Sequence, residues 1–138
     1  MKTKISIALI AFSLLPLARL AAHEGETHGS PAPQAVAGDA WTNAQASLKA
    51  IQAAAVAKQQ EPIHHEQEKL VVALKQLQEK GAGADKARLA GAIKNAITAS
   101  EKVHAAADAN DFVKVQSSLK TLETTMSLVE KQLTAPAK

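Results

Sequence analysis

Residues 111–133 read DFVKVQSSLKTLETTMSLVEKQL. Within them Phe112, Val115, Leu119, Leu122, Met126, Val129 and Leu133 recur at alternating steps of three and four residues, without a break. A strand face repeats every second residue and a helix face every 3.6, so this spacing predicts an amphipathic helix with one apolar stripe. Asn110-Asp111 predicts the tight turn that opens it, with Asp111 as N-cap, and Pro136 lies beyond its end.

Three upstream segments carry the same period. Residues 84–108 place Leu89, Ile93, Ala96, Ile97, Val103 and Ala107 on one face. Residues 62–80 do so with Ile63, Leu70, Leu74 and Leu77, and Gly81-Ala82-Gly83 predicts their end. Pro62 suits a first helical turn, where a missing N–H leaves nothing unpaired. Residues 40–58 place Trp41, Ala44, Leu48, Ile51 and Ala55 together, behind Asp39 as expected N-cap. Four helices joined by short loops predict an all-α, antiparallel up-down-up-down four-helix bundle over residues 39–138. The 3,4 spacing and abundant alanine predict close, left-handed, coiled-coil-like packing. An elongated pair of hairpins that closes only on dimerisation is the alternative. The halves show no matching repeat, which argues against a tetratricopeptide-like array.

The N-terminal part reads differently. Lys2 and Lys4 precede an apolar run from Ile5 to Leu17, and Ala21-Ala22 offers small residues for a peptidase. Residues 1–22 are therefore expected to be a secretory signal, with cleavage after Ala22. The apolar run falls well short of the roughly 20 residues a membrane-spanning helix needs. The expected location is periplasmic or secreted, with no membrane attachment after cleavage. Residues 23–38, HEGETHGSPAPQAVAG, are small and polar with no apolar period, and predict a flexible tail.

Removing the signal changes the charge argument. The chain has 16 basic and 13 acidic side chains; losing Lys2, Lys4 and Arg19 leaves 13 of each. The net basicity belongs to the signal, so the persistent basic field that nucleic-acid binding needs is absent. Trp41 and Phe112, the aromatics beyond the signal, make no stacking platform. With no cysteine, a domain in an oxidising compartment must hold by packing alone.

The five histidines are His23, His28, His64, His65 and His104. In an up-down bundle, with Ala82 as turn centre and about 1.5 Å of rise per residue, His64 stands about 27 Å and His104 about 33 Å from that turn. They share one end of the bundle on neighbouring helices, with Glu61, Glu68, Glu101, Asp108 and Asp111. His64 and His104 lie at the margins of their apolar stripes, seven residues from Val71 and Ile97. His65 is expected to point further outward. Imidazoles converging with carboxylates suit Cu(II), Zn(II) or Ni(II), with carboxylates also able to orient the rings from behind. The expected ligand candidates are His64, His104, His65, Glu61 and Glu101. Without a metal, helix-end histidines are solvated, and His104 near a helix C-terminus is favoured by the dipole alone.

The tail is a second candidate. His23-Glu24-Gly25-Glu26-Thr27-His28 combines two imidazoles and two carboxylates. Cleavage after Ala22 would give His23 a free α-amine, and amine plus ring nitrogen resembles the histidine brace of copper-binding secreted proteins. The same opening is similar to mature N-termini of periplasmic proteins associated with copper and heavy-metal efflux, a resemblance that implies metal binding without assigning a site.

Two other resemblances are partial. Glu61-Pro62-Ile63-His64 and Glu101-Lys102-Val103-His104 resemble the Glu-x-x-His ligand motif of ferritin-like di-iron bundles. That site also takes a carboxylate from each of the other two helices; residues 40–58 contain no Glu, and Glu123 and Glu130 are remote. The hairpin with Ala105-Ala106-Ala107-Asp108-Ala109-Asn110-Asp111 at its turn and Leu119-Lys120-Thr121-Leu122 beyond resembles the final hairpin of periplasmic cytochrome b562-type bundles, over about a third of the chain. That family's haem ligands, a Met opening the first helix and a His near the end of the fourth, have no counterparts here; Met126 lies on the core stripe. No C-x-x-C-H is present for covalent haem, and b-type ligation by His64 and His104 is the remaining haem arrangement. Haem and di-iron are both disfavoured.

Hydrolase and phosphate-loop motifs are missing: there is no Gly-x-Ser-x-Gly and no His-Glu-x-x-His, and His65-Glu66 has no second histidine at the required spacing. The expected function is non-enzymatic: transition-metal binding or buffering of a copper-like ion. The competing expectation is a ligand-free structural bundle that pairs with itself or another envelope protein.

Overall fold

The computed structural model describes residues 33–80 and 85–135. It contains four helices: α1 (Pro33–Val56), α2 (Gln60–Lys80), α3 (Lys86–Asp108) and α4 (Phe112–Thr134). The expected signal, the tail histidines and the Gly81-Ala82-Gly83 stop lie outside the described residues.

The caps follow local chemistry. Asp85 and Asp111 each accept a backbone N–H three residues on, from Arg88 at 3.1 Å and Lys114 at 2.9 Å. Such a cap contributes on the order of 1 kcal/mol. The expected start of α1 is corrected. Asp39 lies inside the helix, which is described from Pro33 onward. Gly38 costs about 1 kcal/mol relative to alanine in a helix. The alanines around it favour the helix, and Thr42 Oγ1 donates back to the Gly38 carbonyl at 2.9 Å. Glu61 lies within the first turn of α2, where the helix dipole favours a negative charge.

α1 and α3 end alike. Lys58 and Asn110 both take φ of 54°. Around Lys58, the Lys58 N–H bonds the Ala55 carbonyl at 3.3 Å and the Gln59 N–H bonds that of Ala54 at 2.9 Å. Around Asn110, the corresponding bonds run from Asn110 to Ala107 at 2.8 Å and from Asp111 to Ala106 at 3.0 Å. This is the Schellman arrangement, which satisfies the last carbonyls of a helix and turns the chain sharply.

Set in register from Lys58 and Asn110, the two hairpins match along their buried faces. Ala54-Ala55 pairs with Ala106-Ala107, Ile51 with Val103, Ile63 with Val115, Leu70 with Leu122 and Leu77 with Val129, and all twelve are buried. The expectation of no matching repeat is therefore corrected. The correspondence resides in loop geometry and core positions, and few side-chain identities are kept to reveal it.

α1 packs along α2 and α3 along α4; α2 then lies against α3, and the α4–α1 side is the loosest seam. Diagonal pairs of helices do not approach each other among the described residues. Ile51, Ile63, Leu70, Leu74, Leu77, Ile93 and Leu122 are fully buried in one continuous core. Burial of each such side chain stabilises by about 1.5–3 kcal/mol. Trp41, Leu48, Ile97, Phe112 and Leu133 are half-buried at its margin. No described helix is long and apolar enough to cross a membrane. This topology gathers the C-termini of α1 and α3 and the N-termini of α2 and α4 at one end.

Candidate metal centre

At that end the α2–α3 seam carries a polar cluster. His64 sits on the second turn of α2, beside buried Ile63, and His104 on the last turns of α3, beside buried Val103. Their rings meet edge to face, with centroids 4.3 Å apart and planes at 79°. Asp108 ends α3, one turn beyond His104. Its Oδ1 lies 3.1 Å from His64 Nε2, and its Oδ2 lies 3.8 Å from His104 Nε2. One ligand atom from each of the three residues falls within 4.8 Å of the others. The side chains are 25%, 36% and 58% exposed for His64, His104 and Asp108, so an ion could enter from solvent.

The separations can be compared with what a metal needs. Tetrahedral ligands at 2.0–2.1 Å from zinc stand about 3.4 Å apart. The His64–Asp108 separation already matches, and the His104–Asp108 separation of 3.8 Å is a few tenths of an ångström longer. Asp108 adds an electrostatic argument. A carboxylate on the last turn of a helix faces the negative end of the dipole, which disfavours it by a few tenths to about 1 kcal/mol. A cation at this point reverses that penalty. Without an ion, His64 Nε2 faces Asp108 Oδ1 at 3.1 Å.

The expected ligand set is brought together only in part. His64 and His104 converge. His65 is exposed and lines a different depression, between α1 and α2, with Asn43, Ser47, Glu66 and Lys69. Consecutive helical residues diverge by about 100°, which carries His65 away when His64 faces α3. Glu61 and Glu101 are exposed and outside the cluster; Glu101 lines another depression, with Gly91, Lys94 and Thr98. His23 and His28 lie outside the described residues. The sequence places Asp108 at this end of the bundle but does not single it out as a candidate ligand. Its signal was available: it follows His104 by four residues, the spacing that stacks two side chains on one helix face.

The seam beneath is also polar. Gln67 Nε2 donates to Ser100 Oγ at 3.1 Å, and Ser100 Oγ donates to the Ile97 carbonyl at 2.8 Å. Gln67 and Ser100 are buried, at 5% and 0% exposure. In the α1–α2 depression Lys69 donates to Glu66 at 2.8 Å. That bond, with a lesser contribution from the Ser47 hydroxyl, holds the Glu66 carboxyl below its ordinary range against the opposing effect of partial burial.

No known protein family, curated protein or solved structure matches this chain.

Proposed function

We propose that this protein binds a transition-metal dication of the copper class, Cu(II) or the chemically neighbouring Zn(II) or Ni(II), and buffers or carries it outside the cytoplasm after loss of residues 1–22. The observation that carries this reading is the convergence of His64, His104 and Asp108 on one point. Two imidazole nitrogens and one carboxylate oxygen, with no sulfur, form a donor set for borderline ions. Structural zinc sites are closed by four protein ligands, whereas three ligands at a partly exposed seam leave a position open. An open position fits exchange of the ion better than permanent retention.

The geometry disfavours the two cofactor alternatives. A haem iron between His64 and His104 would separate the ring centroids by about 6 Å, from metal–nitrogen bonds of about 2.0 Å and the ring radii. The observed 4.3 Å leaves no room for a porphyrin between them. A ferritin-like di-iron centre draws on carboxylates from four helices. The cluster contains one carboxylate.

The test is calorimetric titration of residues 23–138 with Cu(II) and with Zn(II), beside the His64→Ala/His104→Ala double variant. An ion held more tightly than about 10 μM and released by the double variant supports the reading; weaker binding in both overturns it.

A second reading has one observation in its favour. On the loose α4–α1 seam, Val56 and Val113 are 77% and 85% exposed beside half-buried Phe112. A ligand-free bundle that pairs with itself or an envelope protein would use such a surface. Sedimentation separates the two: association that is independent of metal and of the histidines favours this second function.

A further inference from the structure

The internal correspondence of the two hairpins identifies what is special about the α2–α3 seam. By the register that equates Lys58 with Asn110, Gln67 corresponds to Leu119 and Ser100 to Leu48. The equivalent α4–α1 seam is thus built from two leucines, one buried and one half-buried. His64 and His104 correspond to Gln116 and Gln52 in the same register. The fold accepts an apolar pair at this level, yet a buried polar pair occurs on the seam that carries the histidines.

We infer that Gln67 and Ser100 are positioning residues for the cluster, fixing the register of α2 against α3 so that His64 and His104 present their Nε2 atoms to one ion. Gln67 is three residues after His64 and Ser100 four before His104, so the pair lies one turn beneath the imidazoles on the same faces. Its hydrogen bond spans the two helices at 3.1 Å, and the Ser100 hydroxyl is in turn anchored to the Ile97 carbonyl. Apolar packing alone tolerates small slips and rotations before it loses stability. A slip of one residue moves a helix by about 1.5 Å, enough to separate ligands that must stay about 3.4 Å apart. A buried polar pair penalises that slip, because each partner would be left unsatisfied in the core. A single buried polar residue fixing helix register is the best-attested use of such groups.

This inference rests on the metal reading for its function, but the positioning itself is measurable without a metal. The variant is Gln67→Leu/Ser100→Ala, with Gln67→Met alone as a volume-conserving substitute should the double variant lose helicity. The first measurement is the nuclear Overhauser contact between the His64 and His104 rings in metal-free protein. It is expected in the wild type and lost or heterogeneous in the variant, although the variant melts at or above the wild-type temperature. A purely stabilising role predicts the opposite pattern, a lower melting temperature with the contact intact. The second measurement is Cu(II) titration followed by electron paramagnetic resonance, where the variant is expected to bind about tenfold more weakly with a broadened or mixed spectrum. An unchanged ring contact overturns the positioning role whether or not copper binds. Wild-type protein that shows the ring contact but takes up no Cu(II) overturns the metal reading and leaves the register role standing.

Discussion

Asp108 Oδ1 lies 3.1 Å from His64 Nε2, joining the last residue of α3 to the second turn of α2. This contact closes one end of the seam, and its partners are unequally exposed: 25% for His64 and 58% for Asp108. Exposed pairs of this kind contribute about 0–1 kcal/mol, so the interaction contributes little to the fold itself. Asp108→Ala is therefore expected to change metal-free stability by less than about 1 kcal/mol while weakening Cu(II) or Zn(II) binding about tenfold or more. Thermal melts with and without the ion, at equal protein concentration, read both effects. A variant that keeps the ion-induced rise in melting temperature would remove Asp108 from the ligand set.

His28 and the helical cluster should not share an ion. Gln52 and His64 flank Lys58 at equal distances along the α1–α2 hairpin, so they are level. Pro33, which begins α1, is then about 28 Å from that level at about 1.5 Å per residue. His28 precedes Pro33 by five residues. A fully extended chain of that length spans about 18 Å at most, so His28 cannot share an ion with His64 and His104. His28→Ala is expected to leave the affinity of the helical site unchanged within about twofold, a difference of about 0.4 kcal/mol. Calorimetry of the variant beside the wild type reads this directly, and a large loss of affinity would show that His28 reaches the cluster.

The two Schellman turns give a stability prediction. Lys58 and Asn110 occupy the left-handed region, where a β-carbon is penalised and glycine is not. Lys58→Gly is expected to stabilise by about 0.5–1 kcal/mol. Asn110→Ala is expected to destabilise by a similar amount, about 0.5–1 kcal/mol, because asparagine tolerates this conformation better than alanine. Urea unfolding midpoints with an unchanged slope would report both. A destabilised Lys58→Gly would show that the lysine side chain contributes more than its backbone strain costs.

Glu66 supplies a pH dependence. Lys69 holds its carboxyl below the ordinary range, so the folded state binds that proton less readily than the unfolded chain. Its contribution is complete above the unfolded carboxylate range, near pH 4.5, and is lost as the pH falls through the lowered folded value. The pair spans three residues on α2 with Lys69 53% exposed, so the contribution is about 0.3–0.5 kcal/mol. Glu66→Gln should therefore be slightly less stable than wild type at neutral pH and converge with it in acid. Denaturant titrations between neutral pH and about pH 3 test this; parallel curves would show that the ion pair contributes nothing.

The sequence by itself determined the four helices, the turn at Asn110, the cap at Asp111 and nearly all of the core stripe of α4. These depend on spacing along one helix and on bonds to near neighbours, which the local chain specifies. It also placed His64 and His104 at one end, because rise per residue and alternating direction fix height in a bundle. Height does not fix facing. The rotation of α2 and α3 about their own axes is set by how the whole core packs. That rotation brought Asp108 to the imidazoles, turned His65 toward α1 and left Glu61 and Glu101 outside. The continuation of α1 through Asp39 was hidden by Gly38, whose local cost is outweighed by its alanine neighbours and the buried Ala40 that follows. The hairpin correspondence was hidden because packing constrains size and burial at a position more than identity. Only the tertiary structure showed that the seam carrying His64 and His104 has Gln67 and Ser100 where its counterpart has leucines.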